Sequence, residues 1–556
     1  MIQQAAQLPS GEALEADVCI VGAGAAGISM ALALADGGRT VLLLEAGGEH
    51  EDAAVQDHYA GTVADERLHS PPHRYRQRRL GGTTTIWGGR CMPFDPVDFE
   101  RRDWIPDSGW PIRYDDIAPW YPEANRLCEA GAFAYTVRDA FDADPPRRPL
   151  VQGFASAAFR TDTLERFSLP TDFARRWRRR LERAPGLRVL LGASVSALPL
   201  AADGDRLARV EVRTAGGGML DVRARRYVLA AGGLEIPRLL LASPGASGRG
   251  VGNRHDVVGR YYMCHLAGTI GTIALAPGHA AWHGYDVADD GVYCRRRFAL
   301  TAEAQHALRV GNFVARLHHP RITDPAHRTG VLSMLYLAKA LIPYEYGKRL
   351  HGGHAGGLGG TLAHLRNVVA DMPRTARFFA HWLRYRTLAE RKFPSVIVHP
   401  RSPRYSLDFH AEQIPRRESR VILGSGVDAH GVPRLHVDWR YGADDVDTLQ
   451  RALAQLAADF AASGTGRFDY DPATVEEEMT RYGAYGGHHI GTARMGDDPQ
   501  TSVVDADCRV HEVANLYLAG SAVFPTSSQA NPTLTAVALS LRLADHLRRD
   551  LAQGSP

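Results

Sequence analysis

Cysteine is scarce in this chain. The six residues in 556 (Cys19, Cys91, Cys128, Cys264, Cys294, Cys508) form no C-x-x-C pair, zinc spacing or C-x-x-C-H haem attachment. That excludes a disulfide-stapled scaffold and a c-type haem, and it points to a reducing compartment. A dominant charge sign is also missing. With 65 basic and 62 acidic residues the formal net charge is +3, too small to draw nucleic acid or an anionic membrane by a global field. The opening MIQQAAQLPSGEALEAD lacks a positive start followed by an apolar stretch, and it lacks a twin arginine, so no export signal is expected and the cytoplasm is the expected location. Internal repeats and extended low-complexity segments are not evident. Only one run, Val18 to Ala35, approaches the length of a membrane helix, and its glycines break that reading, so no integral membrane segment is expected. The arginine-rich DFARRWRRRLERAPG places Phe173, Trp177 and Leu181 at helical spacing, which predicts one buried face and no nucleic-acid site.

What is present is an ordinary globular composition, 45% hydrophobic and 23% charged, over a length that suggests more than one folding unit. Asp17 precedes a β-branched run, and Gly22, Gly24 and Gly27 then give G-x-G-x-x-G before a helical Ala/Leu stretch. In that context the glycines permit a tight turn, close approach of backbone to a pyrophosphate, and close helix-strand packing. TVLLLEAG then sets Glu45 at the end of a second strand, where its carboxylate can accept from ribose hydroxyls. The fingerprint fits NAD or FAD equally. RRLGGTTTIWGG, Arg78 to Gly89, has the small and hydroxylated residues of a loop that runs its backbone along a cofactor. GLRVLLGASVSAL and the segment ending YVLAAGGLEIPRLLLAS predict strands that return to the nucleotide sheet, followed by a helix. NLYLAGSAVFPTSSQANPTLTAVAL predicts a short strand, a polar loop and a long helix, with Asn531 as cap and Pro532 in the first turn.

In GGHHIGTARMG, His488 and His489 are adjacent on an extended segment, so they point to opposite sides and are poorly placed to share one metal ion. No metal site is expected. YSLDFHAEQIPRRESRVIL predicts a strand, and Glu412 and Gln413 after it are candidates to reach a substrate pocket. HGGHAGGLGG, His351 to Gly360, predicts a flexible linker. It leads into a basic amphipathic helical stretch interrupted at Pro373 and carrying Arg374, Arg377, Arg384, Arg386, Arg391 and Lys392. That stretch reads as a solvated face, with a lid or a docking element for a membrane surface or acidic electron-transfer partner as alternatives.

Taken together, VCIVGAGAAG, LLLEAGG, RRLGGTTTIWGG, FDPVDFERRDW, SGWPI, YVLAAGGLEIPRLLLAS, GNRHDVVGRYYM, GGHHIGTARMG, VVDADCRVHEVANLYLAGSAVFP and ANPTLTAVALSLRLADHL resemble, in order and spacing, the glucose-methanol-choline (GMC) family of FAD-dependent oxidoreductases, closest in wording to its bacterial sugar and polyol dehydrogenases. The resemblance implies an α/β fold: a Rossmann-like FAD domain from residues 1–98, 186–262 and 484–556, and an α+β substrate domain from 99–185 and 263–483 with a helical insertion around 335–393. It implies cofactor contacts at Gly22, Gly24, Gly27, Glu45, Ala46, Leu80, Gly81, Gly82, Thr83, Trp87, Gly88, Gly89, Val195, Ala231, Gly232, Gly520, Ser521, Pro532 and Thr533. Within H-x-x-G-T it makes His488 the base that takes the hydroxyl proton as hydride passes to flavin N5, with Asn531 beside it and His489 turned away or touching substrate. Ile86 stands where some relatives carry the histidine that links FAD covalently, so the FAD is expected to be non-covalent. The expected substrate is a polyhydroxylated sugar, glycoside, aminoglycoside or cyclitol, with an unidentified electron acceptor. The alternatives are an oxidase forming peroxide, a sterol or other apolar alcohol as substrate, and a flavin-containing electron-transfer or binding subunit.

Overall fold

A computed structural model describes residues 1–142, 148–338, 358–395, 397–398 and 403–553. An eight-stranded sheet runs Ile2–Gln4, Leu187–Leu191, Val41–Glu45, Ala13–Val21, Met219–Leu229, Val210–Thr214 and Ala193–Ala197, with Leu516–Leu518 also on Met219–Leu229. Its centre is parallel, with Val18 opposite Val41 and Val228 opposite both Ile20 and Tyr517. Val18, Cys19, Ile20 and Leu43 are fully buried, as expected of parallel strands covered on both faces. The run from Val18 is therefore strand, turn and the helix Ala25–Asp36, which packs on the helix Thr533–Ala552. Among the described residues no helix is long and apolar enough to cross a membrane.

A second, antiparallel sheet runs Gly466–Asp469, Met263–Leu275, Arg404–Ala411, Phe313–His318, Phe298–Leu300 and Phe159–Arg160, and Tyr485–Ile490 adds to Met263–Leu275. The helix Ala443–Ala462 covers it with Leu449, Leu453, Leu456 and Phe460. Two strands cross the expected division of the chain. Tyr485–Ile490 joins this second sheet, and Gly61–Val63 pairs with Pro433–Asp438 in a separate three-stranded sheet.

The helix Phe173–Arg183 buries Phe173, Trp177 and Leu181, as their spacing predicts. Most of the expected flexible linker, 351–357, lies outside the described residues, whereas Leu358, Gly359 and Gly360 open the helix Leu358–Ala370. A second helix, Met372–Trp382, begins beside Pro373 because proline suits a first turn and breaks a continuing one. The pair is not a plain solvated face. Leu362, Leu365, Val369, Met372, Phe379 and Leu383 are exposed along it.

Candidate active site

A cavity of ≈ 490 Å³ lies between the two sheets, lined from the turn after Val21, the loop Gly82–Arg90, the segment Ala230–Gly233, His488 and His489, and the segment Ala519–Thr533. Gly22 closes the turn at φ +103, a conformation open to glycine, and a Cβ there would meet the Ala230 carbonyl oxygen at 2.8 Å. A Cβ at Gly27 would sit 1.9 Å from the Gly22 oxygen, so Gly27 lets the helix pack on the strand and does not line the cavity. Gly24, Gly88 and Gly232 are the reverse case. A Cβ at any of them meets no atom of the described residues within 4 Å, yet each lines the cavity, so the room before them is kept for something other than side chain. The N-terminal ends of the helices Ala25–Asp36 and Thr533–Ala552 also open on it, presenting unpaired N–H groups and the positive ends of two helix dipoles. A long anionic dinucleotide fits this donor set.

Glu45 is buried at the rim, where its two carboxylate oxygens accept from the N–H of Ala23 and of Gly47, each at 2.9 Å. Burial raises its pKa against the pull of those N–H groups, and the lone pairs left over face the cavity. Ala46, Gly82, Thr83, Trp87, Gly89, Val195, Ala231, Gly520, Ser521, Pro532 and Thr533 all line the same space. Leu80 and Gly81 do not: Leu80 is 1% exposed in the core, and Gly81 turns at φ +88 against Ala174.

The polar centre is a chain of histidines carried on adjacent strands. His265 stands on Met263–Leu275, His410 on Arg404–Ala411 and His488 on Tyr485–Ile490. His265 Nε2 lies 3.0 Å from the Ser527 carbonyl oxygen, which can only accept, so the proton of His265 is on Nε2. Burial lowers the His265 pKa to about 3, which leaves its Nδ1 as a bare lone pair at neutral pH. His488 must then donate its Nδ1 proton across the 2.7 Å between the two Nδ1 atoms. The Ser527 carbonyl, acting through His265, thereby fixes the tautomer of His488, whose unprotonated Nε2 receives the Asn531 Nδ2–H at 3.2 Å.

Burial, then His265, Arg90 and His489, hold the His488 pKa well below the ordinary 6.5. The three imidazoles are close enough to suggest a metal trio, but 2.7 Å is a hydrogen bond, whereas two nitrogens on one tetrahedral zinc sit about 3.3 Å apart. His489 lines the cavity on the other side, its ring 6.1 Å from that of Tyr262 and 6.4 Å from that of His69.

Three expectations change here. Glu412 and Gln413 are fully buried away from the cavity. Glu412 receives both ends of the Arg102 guanidinium, at 2.8 and 2.6 Å, and Gln413 bridges Cys264, Trp439 and Arg440. The strand they follow ends beneath the loop Thr526–Asn531 instead of opening on substrate, so neither can touch it. Asn531 is not the helix cap. The flanking position is Pro532, without a side-chain cap, and the Asn531 amide is spent on His488 while its Oδ1 is buried with no hydrogen-bond partner among the described residues. Sequence reasoning also passed over His265, His410 and a wall of Arg90, Glu165, Arg295, Arg316 and Asp408, none of which sits in a spaced motif.

A family model described as FAD dependent oxidoreductase matches residues 17–358, and one described as GMC oxidoreductase matches residues 415–540. This chain belongs to the GMC family of FAD-dependent oxidoreductases. Among GMC relatives, the fructose dehydrogenase large subunit of Gluconobacter japonicus is 25% identical over 98% of this chain and 100% of that one. Paromamine 6'-oxidase of Streptomyces fradiae is 26% identical over 96% and 92%. The crystal structure of pyridoxine 4-oxidase from Mesorbium loti superposes with a TM-score of 0.52 at 20% identity, covering 97% of this chain and 100% of that one, which shows the shared fold.

Proposed function

We propose that this GMC enzyme oxidises a hydroxyl group of a polyhydroxylated substrate, with His488 as base and Asn531 as its partner. The observation that carries the reading is the unprotonated His488 Nε2 held 3.2 Å from the Asn531 amide at the cavity wall. A substrate oxygen bridging the two nitrogens can replace this contact, donating its proton to Nε2 and accepting from Nδ2–H, so that the base and the oxyanion donor act on one atom. Bound FAD supplies the acceptor for the two electrons and the hydrogen that leave the carbinol carbon. The donors and acceptors on the cavity wall would be left unpaired by an apolar alcohol, and two relatives carry names that refer to fructose and paromamine. The FAD is read as non-covalent, because Ile86, 52% exposed at the cavity, has no atom able to bond it. Acid precipitation is expected to leave flavin in the supernatant, and flavin pelleting with the protein would overturn this.

The function is tested by mixing oxidised holoenzyme anaerobically with sugars, glycosides, cyclitols and sterols and following bleaching of the flavin. Polyols are expected to bleach it, and bleaching by sterols alone would refute the reading. The reduced enzyme is expected to return electrons to a quinone or dye faster than to oxygen, and rapid peroxide formation would mark an oxidase instead. The same reduction rate, measured against pH, is expected to stay level from pH 8 to below 6.5. The base works unprotonated, and a pKa held below the ordinary value moves the loss of that form to more acidic solution. A fall centred at pH 6.5 or above would show that His488 is not the titrating base.

A further inference from the structure

The wall of the cavity facing His488 is unusual in its charge. Arg90, Arg295 and Arg316 line it together with the carboxylates Glu165 and Asp408. Arg316 takes both acids, with Nε 3.0 Å from Glu165 and Nη1 3.1 Å from Asp408, and Arg90 lies 3.6 Å from Glu165. Burial would push Glu165 up, but Arg316, Arg90, Arg297 and Arg295 outweigh it and hold its pKa below the ordinary value, and among the described residues the cavity wall sets three guanidiniums against two carboxyl groups. The excess charge is on Arg295. It stands on the strand Tyr293–Arg296 directly across from Glu165, is 6% exposed, and donates Nη2 to the Leu317 carbonyl oxygen at 2.6 Å. Its guanidinium carbon lies 5.7 Å from the Tyr285 ring centre, and its Nε is buried with no hydrogen-bond partner among the described residues. Behind the wall, Arg297 sends its donors to Thr163, Met92 and Gln529. On the nucleotide side of the cavity, Arg76 and Arg78 both meet Glu235, at 3.3 and 3.0 Å.

An uncompensated guanidinium is costly to bury, and a buried donor left unpaired is costly too, so the arrangement is satisfied when something negative arrives. Arg297, behind the wall, has Asp95 as its first opposing charge, which leaves one excess charge facing the cavity, and one excess charge suits a monoanion. A phosphate, carrying nearly two, would leave the wall overcompensated, while a carboxylate offers the planar pair of oxygens that a guanidinium grips at both ends. An ammonium group would add to the repulsion.

Resting on the reading of this cavity as the alcohol site, we propose that the polyhydroxylated substrate carries a carboxylate seated on Arg295, with Arg316 and Arg90 beside it. The substrate class is then a sugar acid, aldonic or uronic, oxidised at a hydroxyl that reaches His488. Neutral sugars would bind the same wall more weakly, and amino sugars more weakly still.

The test pairs molecules that differ in one group: gluconate against glucitol, glucuronate against glucose, and glucosamine and glucose 6-phosphate as the cationic and dianionic arms. Each is titrated into oxidised holoenzyme, reading the perturbation of the flavin spectrum for binding and anaerobic bleaching for turnover. The carboxylates are expected to exceed their neutral partners at least tenfold in affinity or kcat/KM, with glucosamine last. Arg295→Gln is expected to erase that preference and Arg295→Lys to keep part of it. Equal behaviour of the acid and neutral partners in the unaltered enzyme, or preference for glucosamine or the phosphate, would overturn the sugar-acid assignment even if the variants fail to fold. It would leave the alcohol-oxidation reading standing, since that reading fails only if no polyol bleaches the flavin.

Discussion

His488→Ala is expected to keep the flavin spectrum of the unaltered enzyme while slowing anaerobic reduction by substrate about 10²- to 10⁴-fold, the usual scale for a positioned base. The spectrum should survive because the glycine turn, Glu45 and the start of the helix Ala25–Asp36 are held by their own backbone contacts and not by the imidazole. The reaction should slow, because no other imidazole among the described residues both lines the cavity and meets the Asn531 amide. His489 faces Tyr262 and His69, and His265 and His410 are buried and do not line the cavity. Added imidazole should restore part of the rate by filling the vacated space. Reduction of the variant at close to the normal rate would remove His488 from the chemistry.

Glu412→Ala is expected to act on stability instead. Arg102 is 1% exposed and its guanidinium is held at both ends by Glu412, which also accepts from the Asn312 N–H at 2.9 Å. Removing one partner of such a pair leaves a buried charge unpaired and costs about 3–5 kcal/mol. That is a large part of the roughly 5–15 kcal/mol that holds a typical protein folded. The midpoint of denaturant unfolding should therefore fall steeply, and the paired substitution Arg102→Met with Glu412→Leu should recover much of the loss, since it deletes both charges together. A variant with normal stability but a raised KM would return Glu412 to the substrate site.

These two residues also show what can be read along a chain and what cannot. The nucleotide site was legible because its glycines answer to local geometry. Gly22 needs a positive φ and Gly27 needs closeness to its own strand, requirements met within a few residues and so written as a spacing. His488 was legible by resemblance to a family pattern. The tautomer chain was not, because His265 precedes His488 by 223 residues and meets it only through the pairing of two strands. Glu412 was misread for the same reason. A carboxylate at a strand end looks alike whether its partner is a substrate or an arginine 310 residues away. Asn531 before proline has the local look of a helix cap, and only the placement of His488 shows where its amide is used. Charge balance on the substrate wall is likewise a property of five residues drawn from separate strands, invisible until the strands are paired.

The cavity takes its lining from Val21 to Ala26 at one end of the chain and from Ala519 to Ala536 near the other. During synthesis the glycine turn therefore leaves the ribosome roughly five hundred residues before the second wall exists. A nascent chain can fold its first strand-turn-helix unit early, but it offers the dinucleotide only half a site until the last strand, loop and helix have emerged. The complete dinucleotide site can therefore form only after the segment 519–536 has been made, however early its glycine turn appears.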